Sequence, residues 1–185
     1  MSEFRSGNGA AWLDLLSTLA GRYRETRVDD LEDPARLRAW LRVNDLEPTS
    51  AVTDADVAAV QATREALHRT TLATMRAEPP ADEDLRLLQE AMADDVPPRL
   101  RRDSGGLAVG RPETARQALA ALVRDAVRML AGDELSHLHT CGDDTCSSVF
   151  LDRSGRRRWC TDLSCGNRAR VRAHRSRTND TRQGP

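Results

Sequence analysis

All four cysteines of this 185-residue chain fall in one 25-residue window, from Cys141 to Cys165. Cys141, Cys146, Cys160 and Cys165 have the spacing C-x4-C-x13-C-x4-C. Two close pairs separated by a short loop are the signature of a zinc site, in which each pair grips one side of a tetrahedrally held ion. The surrounding segment has few apolar residues, and a unit of about 40 residues rarely folds without a staple. Two disulfides, or four free buried thiols, are the competing readings. The start, "MSEFRSGNGAAWLDLL", lacks a basic stretch followed by a long apolar core. Such a start predicts no secretory route, so a cytoplasmic, reducing location is expected and zinc is favoured over disulfides. Four thiolates leave no open coordination position, so the expected Zn2+ is structural rather than catalytic. His137, His139 and His174 are spare ligand candidates, and His139 could replace one thiolate; four cysteines already complete the site, so all three are read as surface residues.

Between the cysteine pairs, Val149–Leu151 and Arg157–Trp159 are predicted to form a small hairpin around "DRSG". Thr161 is a candidate N-cap, and a helix containing Cys165 is expected to run to about Arg177. A metal-binding turn, a hairpin and a helix start make a treble-clef-like arrangement. This end of the chain is strongly basic. Residues 150–185 carry ten Arg and three acids, whereas residues 1–149 carry eighteen Arg and twenty-six acids. A basic arm beside an acidic body suits a polyanionic partner. Arg157, Arg158, Asn167, Arg168, Arg170, Arg172, Arg175 and Arg177 are the candidate nucleic-acid contacts. The arginines would meet phosphates, while Asn167 and Arg168 near the helix start would reach base edges. The plainer alternative is a solvated basic helix, or one that docks on acids of this chain. The sequence contains no Lys, but the arginine bias extends over the acidic body too.

Residues 1–132 read as helices. Trp12, Leu15, Leu16 and Leu19 keep one helical face, with Gly21 as the stop. Asp33 and Pro34 open a second helix that buries Leu37, Trp40 and Leu41. Thr53, with Asp56 three residues on, starts a long third helix that buries Val57, Val60, Leu67 and Leu72. Another helix from Asp82 would bury Leu85, Leu88 and Met92. Leu100–Arg102 against Leu107–Val109 is read as a β-hairpin around Asp-Ser-Gly-Gly. Pro112 would open the last helix, with Leu119, Leu122, Val123, Ala126, Val127 and Leu130 inward. The expected fold is mainly α: a helical bundle with one small β-hairpin, then the finger. The expected boundaries are 1–135, 136–178 and a disordered tail, 179–185. No apolar run reaches the roughly 18 residues of a membrane span.

Cys141, Cys146, "FLDRSGRRRWC" and "CGNRARVRAHRSR" resemble the CGNR zinc finger, whose name is spelled by Cys165-Gly166-Asn167-Arg168. The resemblance implies DNA binding, with the four cysteines on zinc. "WLDLLSTLAGR", the helical middle, the proline-rich hairpin and the last helix before the finger are similar to the ABATE domain of transcription regulators. Ser17-Thr18 stands where relatives commonly carry Asn-Thr. Thr18, Arg22, Trp40 and Asn44 are candidates for a ligand pocket, with capping and packing as their ordinary explanation. The expected protein is a DNA-binding transcription regulator and not an enzyme, with a small-molecule effector and a homodimer as candidate partners. The alternative is a zinc-stabilised protein-interaction module.

Overall fold

The computed structural model describes residues 4–182, with side chains through Arg175. The chain forms two compact units. One is built on Asp29–Ser136; the other joins Arg5–Val28 to the chain from His137 onward. The chain passes between the units twice, after Val28 and after Ser136. Residues 5–28, expected in the helical domain, fold with the finger.

The helical unit rests on well-signalled starts. Helix α2 (Pro34–Val43) has Asp33 as its N-cap, whose Oδ1 accepts from the Arg36 amide at 2.7 Å. Its buried face is Leu37, Trp40 and Leu41. It ends in a left-handed residue, Asp45 (φ 58°), with the Leu46 amide returning to the Leu41 carbonyl at 2.8 Å. Helix α3 (Asp54–Met75) opens with the full capping box. The Asp56 amide donates to Thr53 Oγ1, and the Thr53 amide donates to Asp56 Oδ2. Helix α4 (Asp82–Met92) and helix α5 (Ala115–Leu130) pack with α3 as a three-helix bundle.

Within this unit Arg64 is 2% exposed, and its guanidinium forks onto both Asp29 oxygens at 2.8 and 2.7 Å. Such a buried bidentate pair fixes the chain entering the unit more firmly than a surface pair would. Glu47 gathers Arg38, Arg42 and Arg111 within 3.0 Å. The hydrogen bond from Arg42 leads in lowering its carboxyl to about 2.

Three expectations about this unit change. Leu85 is exposed rather than inward, because α4 turns Asp84 inward instead to meet Arg69 at 3.0 Å. Helix α5 starts at Ala115 and not Pro112, because Thr114 Oγ1 caps the Gln117 amide. Val127 is 36% exposed and stands outside the buried stripe. The hairpin forms as read: β3 (Leu100–Asp103) pairs antiparallel with β4 (Gly106–Val109), Leu100 facing Val109. No helix among the described residues is long and apolar enough to cross a membrane.

The second unit begins with helix α1 (Ala11–Ser17), shorter than expected. It stops before Leu19 because Leu19–Ala20 (β1) forms a two-stranded sheet with Val28–Asp29 (β2). Gly21, expected to stop the helix, lies in the turn beyond. In the finger, Val149–Leu151 (β6) pairs with Leu138–Thr140 (β5), not with Arg157–Trp159. The Asp152 carboxylate accepts from the Ser154 and Arg157 amides at 3.0 and 2.7 Å. That turn curls 154–157 into a loop, so Arg157 has no strand to lie in. After Cys160 comes a wide π-type turn, Asp162–Gly166, in which the Gly166 amide reaches the Thr161 carbonyl. Thr161 makes no side-chain cap. Helix α6 then runs Asn167–Arg182, past the expected end near Arg177 and into the stretch read as a disordered tail. No Gly or Pro interrupts it before Gly184; residues 183–185 lie outside the described residues.

A four-cysteine metal centre and its arginines

The four sulfurs converge. Cys141, Cys146, Cys160 and Cys165 Sγ all lie within 4.8 Å of one another. A zinc tetrathiolate needs S–S edges of about 3.8 Å, from Zn–S bonds of about 2.3 Å. Cys146–Cys160 at 3.8 Å and Cys160–Cys165 at 3.5 Å fit that size. Neither is a disulfide, which rules out the competing pairing; all four thiols are free. No histidine joins the cluster among the described residues. His139 instead tilts against the Phe150 ring at 5.9 Å.

The chemistry of the donor set calls for a cation. Hydrogen bonds from Cys141 and Cys160 lower the Cys146 thiol. Hydrogen bonding to Cys141 and then Cys146 pushes Cys160 far above the thiol range. Burial and the charge at Cys146 raise Cys165 to about 11. Crowded sulfurs cannot all ionise alone; a divalent ion among them removes that penalty. The four cysteines are the ligands of a structural zinc.

The backbone builds the cage. The Cys146 amide donates to the Asp143 carbonyl at 2.8 Å, closing the first turn, and the Cys165 amide donates to the Thr161 carbonyl at 3.1 Å. Phe150, fully buried, packs against the cysteines as the centre of a tiny core. Gly166 packs close: a Cβ there would stand 3.2 Å from Trp159 Cε3 and 2.4 Å from Asp162 Oδ1, the movable tip of an exposed side chain.

The arginines divide into two groups. Arg168 donates to Cys165 Sγ at 2.9 Å and from Nε to Asp143 Oδ2 at 2.9 Å, tying α6 to the first cysteine turn. Arg172 bridges Asp143 and Asp144, and Arg170 reaches Asp162 at 2.9 Å. The Asp143 side chain is fully buried. Burial alone would raise its carboxyl, yet Arg172, Thr145 and Arg168 hold it well below the usual carboxylate range. Arg157 covers the Phe150 ring at 4.7 Å and donates to the Cys160 carbonyl at 2.6 Å. These four brace the finger. Arg175 and Asn167 stand exposed on α6, and Arg158 lies 5.5 Å from the Trp159 ring. None of these three pairs with a partner carboxylate among the described residues. The Arg177 side chain lies outside the described residues.

Replacing Asp143 by Ala removes the acceptor shared by Arg168, Arg172 and Thr145. Charged hydrogen bonds of this kind contribute about 2 kcal/mol when one partner is lost. The expected result is that lower stability for the second unit, read as faster amide exchange at Val149–Leu151 in urea, with zinc retained.

Sequence reasoning missed the contribution of residues 5–28. Asp14 Oδ1 accepts from the Asn8 amide at 2.9 Å and Asn8 Nδ2 at 2.8 Å. Asn8 Nδ2 also donates to Ser17 Oγ, which donates to Ser148 Oγ at 3.2 Å. Arg22 donates to Ser147 Oγ at 2.9 Å. Burial raises the Asp14 carboxyl despite its three donors. The candidate pocket of Thr18, Arg22, Trp40 and Asn44 is not assembled within either unit. Thr18 donates to the Leu15 carbonyl and Arg22 to Leu16 and Ser147, in one unit. In the other, Trp40 is buried and Asn44 caps its carbonyl at 2.9 Å.

A helical unit joined to a four-cysteine finger defines a zinc protein of two parts. Residues 9–133 match the ABATE family, described as "Putative stress-induced transcription regulator", and residues 137–178 match the CGNR zinc finger. The chain belongs to the ABATE family and carries a CGNR finger. No curated protein matches it.

Proposed function

We propose that the chain is a transcription regulator that binds duplex DNA through its zinc-held second unit. One observation carries this reading: the groove along α6 lined by Arg24, Asn167, Arg168, Arg172 and Arg175. Asn167 and Arg168 open the helix, where a groove-seated helix meets base edges, and Arg175 lies two turns on, within reach of phosphates. The acidic remainder of the chain favours contact through the second unit. One finger buries little surface, so two copies on one site would suit specific binding. The reading assigns the chain no catalytic step.

A second reading is favoured by Asp143, Asp144 and Asp162, which already occupy Arg168, Arg170 and Arg172. In it the finger is a self-braced protein-interaction module. Duplex affinity measured across salt separates the two. DNA binding predicts log K falling with log salt at about 0.9 per phosphate contact, and Arg175→Ala making the slope shallower by about that amount. Absence of binding to any duplex at low salt would overturn the first reading and favour the second.

A further inference from the structure

The arginines of the finger are continued by two from the other end of the chain. A cleft of about 500 Å³ opens beside the metal centre, lined by Arg5, Arg24, Thr145, Cys146, Ser147 and Arg168. The α6 groove shares Arg24, Thr145 and Arg168 with it. The two are therefore neighbouring parts of one cationic track, assembled from residues more than 100 positions apart. Arg5 and Arg24 are exposed, and neither is paired with a carboxylate among the described residues. Glu25 is the acid on the cleft's rim.

A zinc tetrathiolate carries two net negative charges, which neighbouring cations offset. Arg168 does so by direct donation to Cys165 Sγ. Among the described residues Arg5 and Arg24 donate to no sulfur, which leaves them available to an outside anion. Thr145 and Ser147 also line the cleft, with their hydroxyls held by Asp143 and Arg22. Exposed guanidinium forks are the chemistry that recognises tetrahedral oxyanions, phosphate above all.

We propose that this cleft is a phosphate-binding site in which Arg5 and Arg24 hold a phosphate group, with the backbone of a nucleic-acid strand as its source. The N-terminal segment is then part of the binding surface rather than of a separate regulatory domain. The strand as source rests on the proposed DNA-binding function; the affinity of the cleft for phosphate does not.

The experiment compares full-length zinc-loaded protein with its Arg24→Ala, Arg5→Ala and Arg27→Ala variants. Arg27 is exposed in the same segment and lines neither groove. Two probes are titrated: a random-sequence duplex across salt, and inorganic pyrophosphate followed by amide shifts at Thr145–Ser147. The expected result is that Arg24→Ala and Arg5→Ala each weaken duplex binding and flatten the salt slope, by about 0.9 in the double variant, while Arg27→Ala leaves both unchanged. Pyrophosphate shifts that vanish in Arg24→Ala, with duplex binding untouched, would keep the phosphate site and assign it to a free anion. Wild-type protein that ignores every duplex but binds pyrophosphate through Arg24 would sink the proposed function and leave this site standing. Unchanged behaviour of Arg24→Ala and Arg5→Ala toward both probes would overturn the site.

Discussion

Cys165→Ser is expected to empty the metal site and unfold everything from Arg5 to Val28 together with the finger, while helices α3, α4 and α5 stay folded. Cys165 is 1% exposed and its sulfur sits within the four-thiol cluster. A serine hydroxyl stays protonated at neutral pH and is a poor zinc ligand. Structural zinc supplies on the order of 10 kcal/mol of folding free energy to a small domain. Apart from Phe150 and the cysteines, the finger buries few large apolar side chains, so nothing else replaces that contribution. Sequence alone confines the damage to residues 136–178. The structure enlarges it, because seven-residue α1 is too short to persist unaided and packs on β6. Metal content together with amide exchange tests this. Zinc is expected to fall from one equivalent to none, and protection to be lost at Leu138–Thr140, Val149–Leu151 and Ala11–Ser17 alike. Protection kept in α1 after zinc is gone would show that the N-terminal segment folds independently of the finger.

What could be read beforehand follows from the range of the interactions. Asp33-Pro34 and the Thr53/Asp56 capping box are local, so both helix starts were visible in the string. The hairpin at 100–109 and the cysteine spacing are equally short-range. β5 and β6 are three residues each, too short to show a period-two pattern, and their pairing was not legible. Asp84 reads as a solvent residue until Arg69, fifteen positions earlier, is seen beside it. The arginines of α6 lie close in sequence to the last cysteine, but the partners of Arg168 and Arg172, Asp143 and Asp144, lie more than 20 residues upstream in a loop. Docking of a basic helix on acids of the same chain is conceivable from charge alone, but only the structure shows which acids take Arg168, Arg170 and Arg172. Least visible was the return of residues 5–28. That contact is written in single polar side chains, Asn8, Asp14, Ser17 and Ser148, without any repeating pattern, and Ser17 and Ser148 are 131 positions apart.

Gly9→Ala should weaken zinc binding although residue 9 touches no ligand. Gly9 has φ +102°, a conformation that alanine adopts only under strain. A Cβ there would also stand 2.7 Å from Leu151 Cβ, a collision with the stiff base of a side chain in β6 and not with a flexible tip. The neighbouring hydrogen bond from the Leu151 amide to the Asn8 carbonyl, 2.7 Å, holds the two segments too close to relax apart cheaply. Backbone strain and overpacking together cost about 2–4 kcal/mol. Because the metal binds only the folded unit, that cost passes into the zinc affinity, which should fall roughly 30- to 700-fold at 1.4 kcal/mol per decade. Gly7→Ala supplies the comparison. Gly7 also has a positive φ, +88°, but a Cβ there meets nothing within 4 Å. It should therefore show only the backbone part of the penalty, and the difference between the two variants measures the grip of the N-terminal segment on β6. Equal zinc affinities for the two variants, by competition with a chromophoric chelator, would mean that the segment rests on the finger without supporting it.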